Sequence, residues 1–397
     1  MIGEWQHWSV VRIRQLFALI ILFATLPASL VFADTDSSRT IYFAGFGYAS
    51  TFEEVPTRFP HLSSTFALEQ SNFDHLLFTD LPKTSAGRSF RLIGDEYGAL
   101  DGENGALVLA LIVDKESTSI SRIGTDYKIV SSISFSTCIF DFDSKEIISS
   151  IPMTVRIVDL LRSAPPTDYY EDLFRALAIG DQPESMRSKF WASLTELVIP
   201  EPGARRIRVS PAILPAGIDW ADPETLKVFG DDSARFLSRS IGKSAHIAML
   251  PYSNSQALSG KMASRIANAE VFQFKTPEED YAVQLVFDGF KKVNSASSSA
   301  GTVYVYGTFA TISIIEPLSQ RVLVKNSYKH GETKTVPASV TILSDQAAFD
   351  AVTHVLLEDF AQAASSADLT WEKSHLSGAQ SRPGAISKFK EIFDSCR

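Results

Sequence analysis

Cysteine is scarce. The 397 residues hold two, Cys138 and Cys396, so a disulfide framework is excluded and the chain must fold by packing. One bridge between the two stays open. Histidine is thin as well: His7, His61, His75, His246, His330, His354 and His375 are scattered, with no His-Glu-x-x-His and no pair at helical ligand spacing. A metal site is therefore not expected. Asparagine never stands in Asn-x-Ser/Thr, which fits a bacterial source.

Local catalytic signatures are missing too. No Gly-x-Ser-x-Gly occurs, and Ser240-Ile241-Gly242-Lys243 and Ser387-Lys388-Phe389-Lys390 lack the motifs that accompany a catalytic Ser-x-x-Lys. Asp141-Phe142-Asp143-Ser144 opens like a calcium loop but lacks the third ligand, the glycine and the closing glutamate. Gly45-Phe46-Gly47 is followed by Ser50 where a dinucleotide site needs its third glycine. Ser259-Gly260-Lys261 lacks the earlier glycine of a phosphate loop. No catalytic, cofactor-binding or metal-ligating residue is singled out, and no cofactor is expected. A carboxylate pair whose spacing exists only in three dimensions stays open.

Positive charge is in deficit, with 37 Lys and Arg against 46 Asp and Glu. Nucleic acid and anionic lipid are poor partners for such a chain. Long apolar runs are absent except for residues 16–26, LFALIILFATL, which follow Arg12 and Arg14 and precede Pro27 and Val31-Phe32-Ala33. That is the pattern of a signal peptide, too short for a spanning helix. The expectation is cleavage near Ala33 and a periplasmic or secreted protein, with an uncleaved N-terminal membrane anchor as the alternative. Removing residues 1–33 leaves 37 − 2 = 35 basic and 46 − 1 = 45 acidic residues, a charge of −10. No spanning segment is expected after the signal.

What is present is mixed α and β pattern around one stretch, residues 301–325. Val303, Val305, Phe309 and Thr311 alternate with Tyr304, Tyr306, Thr308 and Ala310, as in an inner strand. Glu316-Pro317-Leu318-Ser319-Gln320 makes the turn and Arg321-Val322-Leu323-Val324 restarts the strand. Residues 127–149 read as a weaker copy. Phe135 and Thr137 match Phe309 and Thr311 at a spacing of 309 − 135 = 174, and 141–148 match 316–323 after a shift of one. That spacing sets Cys138 against Ile312, as a buried small apolar residue. Internal duplication and two unrelated hairpins both stay open.

The fold class expected is α+β: two α/β modules, each a small mixed or antiparallel sheet with a β-hairpin and flanking helices. The signal is 1–33, the N-terminal module 34–199, a Pro-rich linker 200–221, the C-terminal module 222–363, and a polar tail 364–397. Residues 73–78 and 89–93 read as short strands, and 106–158 as a three-strand meander whose last member carries Pro152 and so lies at an edge. Helices are expected over 168–178, 184–198 and 222–241, the last with Asp222 as N-cap and Pro223 at its first position. Residues 245–250 read as a strand. Thr276-Pro277-Glu278-Glu279 reads as a capping box opening a helix with Ala282, Val286, Phe290 and Val293 on one face. Extended through this helix, the duplication fails. A helix over 344–363 and a short amphipathic one with Ile386, Phe389 and Phe393 close the chain.

The order in the second module, a helix into His246-Ile247-Ala248-Met249-Leu250-Pro251, then Tyr304-Val305-Tyr306-Gly307-Thr308, a turn and Arg321-Val322-Leu323-Val324, resembles the small α/β domain shared by the curli-secretion channel family, the TolB N-terminal domain and penicillin-binding-protein activator lipoproteins. The resemblance implies a non-enzymatic role in envelope assembly or secretion, with a protein partner or self-association. The lipid-bearing cysteine of the lipoproteins has no counterpart here, and no functional residue is carried over. An exported hydrolase with a site built from distant loops such as 94–105, and a periplasmic solute-binding protein with its cleft at the Pro-rich segment, are the alternatives.

Overall fold

The computed structural model describes residues 39–50, 53–81, 90–94, 105–123, 125–166, 168–252, 274–338, 345–378 and 381–397. The expected signal, most of the 94–105 segment and Ser259-Gly260-Lys261 lie outside them. The protein is α+β, with two mixed sheets and helices packed on them.

The first sheet has the order β2-β1-β3-β4-β5. Its strands are β1 (Arg39–Tyr48), β2 (Phe90–Ile93), β3 (Leu107–Ile123), β4 (Asp126–Asp141) and β5 (Ile147–Leu161). β1 runs parallel to β2 and β3; β3, β4 and β5 form the antiparallel meander. Helices α1 (Val55–Arg58), α2 (Pro60–Thr79), α3 (Tyr169–Ile179) and α4 (Met186–Ser193) accompany it. Period-2 alternation sends Ile133, Phe135 and Ile139 of β4 into a core with Phe46, Phe66, Phe73, Phe174 and Phe190. The opposite face carries Ser132, Ser134 and Ser136. β5 is the edge, and Ser150 N–H turns outward to the Met249 carbonyl at 2.8 Å. Pro152, two residues on, stands where the next outward N–H would be, so no ladder bond is lost.

The second sheet has the order β6-β7-β8-β9: β6 (Ile207–Val209), β7 (Tyr281–Ser298), β8 (Gly301–Glu316) and β9 (Arg321–Pro337). Helix α5 (Pro223–Ala245) starts at Asp222, whose carboxylate accepts from Thr225 N–H at 3.0 Å. Helices α6 (Asp345–Ser366), α7 (Leu369–His375) and α8 (Ala385–Asp394) follow the strands. Phe229, Leu237 and Ile241 of α5 share a core with Leu285, Ile312, Phe360 and Phe389. The amphipathic helix near the end of the chain is docked there, with Ile386, Phe389 and Phe393 buried. The Pro-rich segment 200–221 supplies β6, whose Ile207 and Val209 are buried in the same core.

Three local expectations are corrected. Residues 73–78 belong to helix α2, because Phe66, Phe73 and Leu77 recur at helical spacing and pack into the first core. Residues 247–250 form no strand beyond a parallel bridge from Met249 to Ile207. The segment after the supposed capping box is strand β7, not a helix. Val283, Leu285 and Phe287 alternate inward, and pairing with β8 along the length of β7 satisfies the backbone that a helix would have satisfied internally.

With β7 a strand, the objection to a repeat disappears. Both halves run strand, helix, parallel pairing, three-strand meander, helix. Asp114 is bulged between Val113 and Lys115 and Asp288 between Phe287 and Gly289, a spacing of 288 − 114 = 174. Each accepts from a β4 or β8 hydroxyl at 2.7 Å, Ser136 or Thr311. The second half has one further bulge in this pairing, between Asn294 and Ala296, without a counterpart; in the pairings that follow, bulges come after Ile139 and Ile314, a spacing of 314 − 139 = 175. Left-handed residues close both turns, Lys145 at φ 60° and Gln320 at φ 55°, again 320 − 145 = 175. The one-residue shift is thus right at the turn, but it already applies in the strand. The bulges set Phe135 against Ala310 and Cys138 against Ser313, not Phe309 and Ile312.

Cys138 and Cys396 are both free and buried, and they sit in different cores, so no bridge joins them. Burial pushes the Cys138 thiol up to about 12, the state of an inert packing residue.

Candidate functional site

The polar face of the first sheet does not meet solvent. It meets α5, whose apolar stripe faces the second core while Asp232, Arg235, Phe236 and Arg239, at helical spacing, turn toward β5. Between them lies a cavity of about 260 Å³ lined by Pro152, Thr154 and Arg156 of β5, Lys189 of α4, those four residues of α5 and His354 of α6.

Its walls are an ion-pair network. Arg156 is paired to Asp232 and, at 3.3 Å, to Asp350. Thr154 donates to Asp232 at 3.3 Å. Arg235 donates to the bulged Asp114 at 2.9 Å, and both side chains are 9% exposed. A bulge turns a residue out of ladder register, and here it aims a carboxylate at the helix. Arg239 grips Glu196 through two bonds of 3.0 and 3.1 Å, the bidentate geometry that suits guanidinium. Tyr252 donates to Asp231 at 2.7 Å, and the Arg235 guanidinium lies 5.0 Å from its ring.

Burial raises the Asp232 carboxyl against the pull of Arg156. Burial, with Asp232 beside it, pushes Asp350 up to about 6. His354 stacks on Phe236 with centroids 4.2 Å apart, and burial, aided by Arg156, pushes it down to about 4. A neutral imidazole of that acidity is a weak base. Both raised carboxylates are committed to Arg156, so the arrangement holds the two halves together.

The pH dependence of stability follows with opposite signs. Between about pH 4 and 6 native Asp350 keeps a proton that the unfolded chain has released, so its contribution falls as pH rises. Between about pH 4 and 6.5 His354 is protonated only when unfolded, so its contribution rises. The slopes oppose in the native chain. Urea midpoints of Asp350→Asn should climb from pH 4 to 6.5, and those of His354→Gln should fall from pH 4 to 6. Parallel profiles for the two variants would refute the assignment.

The sequence motifs fall elsewhere. The aspartates of 141–144 make the β4–β5 turn, where Asp141 accepts from Ser144 N–H at 2.7 Å and Asp143 from Gly105 N–H at 2.9 Å. Gly45, at φ 90°, serves the β1 bulge. The cavity lies beside β5 and α5, not at the Pro-rich segment proposed as the cleft of a solute-binding protein. Its lining comes from four elements far apart in sequence, so no local pattern marked these residues as a site. Among the described residues, those that could hold a metal are His330, Asp359 and His375.

No protein-family model and no curated protein matches this chain. Solved structures overlap it in part. The PelC dodecamer from Paraburkholderia phytofirmans gives a TM-score of 0.20 at 9% identity, covering 42% of this chain and 92% of that one. A neuraminyllactose-binding hemagglutinin homolog from Helicobacter pylori gives 0.28 at 7% identity over 41% and 90%. A minor lipoprotein from Acinetobacter baumannii gives 0.19 at 12% identity over 41% and 88%. At these scores the overlaps decide nothing about function. Among the described residues no helix is long and apolar enough to cross a membrane.

Proposed function

We propose that this chain is an exported, non-enzymatic protein that acts in the bacterial cell envelope by binding a protein, either a partner or a second copy. Export rests on the n-region, apolar core and small-residue site of residues 1–33. Binding rests on one observation, the extension of the second meander beyond its core. From Lys291 to Ser298 every residue of β7 is exposed, and from Gly331 to Thr335 every residue of β9 is. Since alternate residues point to opposite faces, neither face of the extension is covered there. Among the described residues the outer edge of β9 carries no strand along it beyond a single bridge at Tyr328. Such an edge offers a row of backbone donors and acceptors to an added strand. Lys329 and Lys334 of β9 stand on it against Glu332, which favours an acidic segment on an otherwise acidic protein.

A photo-crosslinking residue at Thr335 or Ser297, activated in intact cells, should give a discrete adduct with an envelope protein or with a second copy. The same residue at Glu224, on the exposed start of α5, should not. Equal labelling at all three positions, or none at the extension, would remove the proposal.

A small-molecule site is favoured by a different observation, the seam cavity with the raised Asp350 carboxyl beside it. An exported solute binder or hydrolase would use it. A ligand screen by thermal shift checks this: hits abolished by Arg239→Ala, which lines the cavity, would support it, and hits indifferent to that change would not.

A further inference from the structure

Three elements of the second half bring together side chains far apart in sequence. His330 comes from β9, Asp359 from α6 and His375 from the end of α7. One ring nitrogen of each histidine and one carboxylate oxygen lie within 4.8 Å of one another, and all three residues are half-buried. We infer that these residues form a mononuclear site for a divalent first-row transition ion, with zinc the ion that best suits the donors.

The first support is the tautomer of His375. Its Nδ1 lies 2.9 Å from the Trp371 carbonyl oxygen. The Ser374 hydroxyl, also 2.9 Å from Nδ1, donates to that same carbonyl at 2.8 Å, so both neighbours of Nδ1 accept in the tautomer that carries the proton there and keeps the lone pair on Nε2. A ligand histidine whose other nitrogen is fixed by a backbone carbonyl is the usual second layer of a metal site. The ring is also held in place, stacked on Trp371 with centroids 4.6 Å apart and on His330 at 5.7 Å. Trp371 is itself packed against Tyr328.

The second support is Asp359. It has no hydrogen bond and no ion pair among the described residues, whereas the half-buried acids of the seam are all paired. A partly buried carboxylate facing two imidazoles gains most from a cation between them. The Glu332 carboxylate lies 3.7 Å from His330 Nε2, outside the cluster of three but near enough to supply a fourth donor by a side-chain rotation. Two imidazoles and one or two carboxylates make a donor set for zinc and its neighbours rather than for calcium or magnesium, which take oxygen alone. Tetrahedral donors at zinc bond lengths sit on the order of 3.4 Å apart, so rotamer adjustments of about 1 Å in His330 and Asp359 complete the shell. With Glu332 bound the site is closed and structural, tying β9 to α6 and α7. With Glu332 free it keeps a position for water.

The test uses the full chain without an affinity tag, stripped by chelator and then titrated with Zn²⁺ in a calorimeter and with Co²⁺ in a spectrophotometer. One equivalent should bind, Co²⁺ should develop the visible bands of a four- or five-coordinate ion, and the melting temperature should rise on zinc addition. Affinity should fall in acid, since protons compete with the ion for the ligand atoms. His330→Asn and Asp359→Asn should each lower it at least about tenfold, with the circular dichroism unchanged. Absence of saturable binding to the stripped chain would overturn the site. So would one-equivalent binding that survives both changes together, since the ion would then lie elsewhere. If His330→Asn alters the fold, Asp359→Asn, on the surface side of α6, decides alone.

Discussion

Asp114→Ala should cost ~3–5 kcal/mol of unfolding free energy, the range for removing one partner of a buried ion pair. Arg235 would keep its charge with the guanidinium 9% exposed and its bonded carboxylate gone, and Ser136 would lose its acceptor. The penalty comes from the stranded charge rather than from the lost attraction. Arg235→Met in the same chain removes that charge, so the double variant should be less destabilised than Asp114→Ala alone. Urea titration of the two singles and the double gives the coupling directly. A loss below about 1 kcal/mol for Asp114→Ala, the scale of an exposed pair, would show that water reaches the seam and that the network holds little together.

Glu372→Ala should release the end of the chain. Helix α8 begins at Gly384, which has no side chain to cap it, and the cap comes from Glu372 of α7. That carboxylate is fully buried and accepts from the backbone N–H of Gly384 and Ile386 and from Asn326 Nδ2. Charge-assisted bonds of this kind contribute ~1.5–3 kcal/mol each, so the alanine variant should lose on the order of 3 kcal/mol. Phe389 and Phe393 leave the second core if α8 detaches, so limited proteolysis should cut the variant between 376 and 384 well before the native chain. Glu372→Gln keeps one acceptor and should lie between the two. Equal protease resistance of all three would mean that core burial alone holds the helix. The first half uses the same device: Glu116 of β3 accepts from His61 and Leu62 N–H at 3.0 and 2.9 Å, and α2 lacks a side-chain cap of its own.

Much of the fold was legible where the signal is short-range. Asp222-Pro223 announces α5, and its cap bond is made as the residue types require. The meander over 106–158 shows in the alternation of β4, and Pro152 marks its edge strand. The turn match between 141–148 and 316–323 carries the one-residue shift that the bulges later place. The failures also have local causes. Residues 282–293 satisfy both periods: Ala282, Val286 and Phe290 at helical spacing, Val283, Leu285 and Phe287 at strand spacing. A window that short holds nothing to choose between them.

By itself the sequence determined an acidic chain, two thiols too few for a disulfide framework, α+β composition and the start of its best-capped helix. These depend on residue type and on neighbours within a few positions. Tertiary structure alone decided that 281–298 is a strand, since its hydrogen-bond partners lie in β8. It alone joined Arg235 to Asp114, 121 positions away, and set His330, Asp359 and His375 around one point. Ion pairs and metal donors need proximity in space and impose no pattern along the chain, so they are invisible until the sheets and helices are packed.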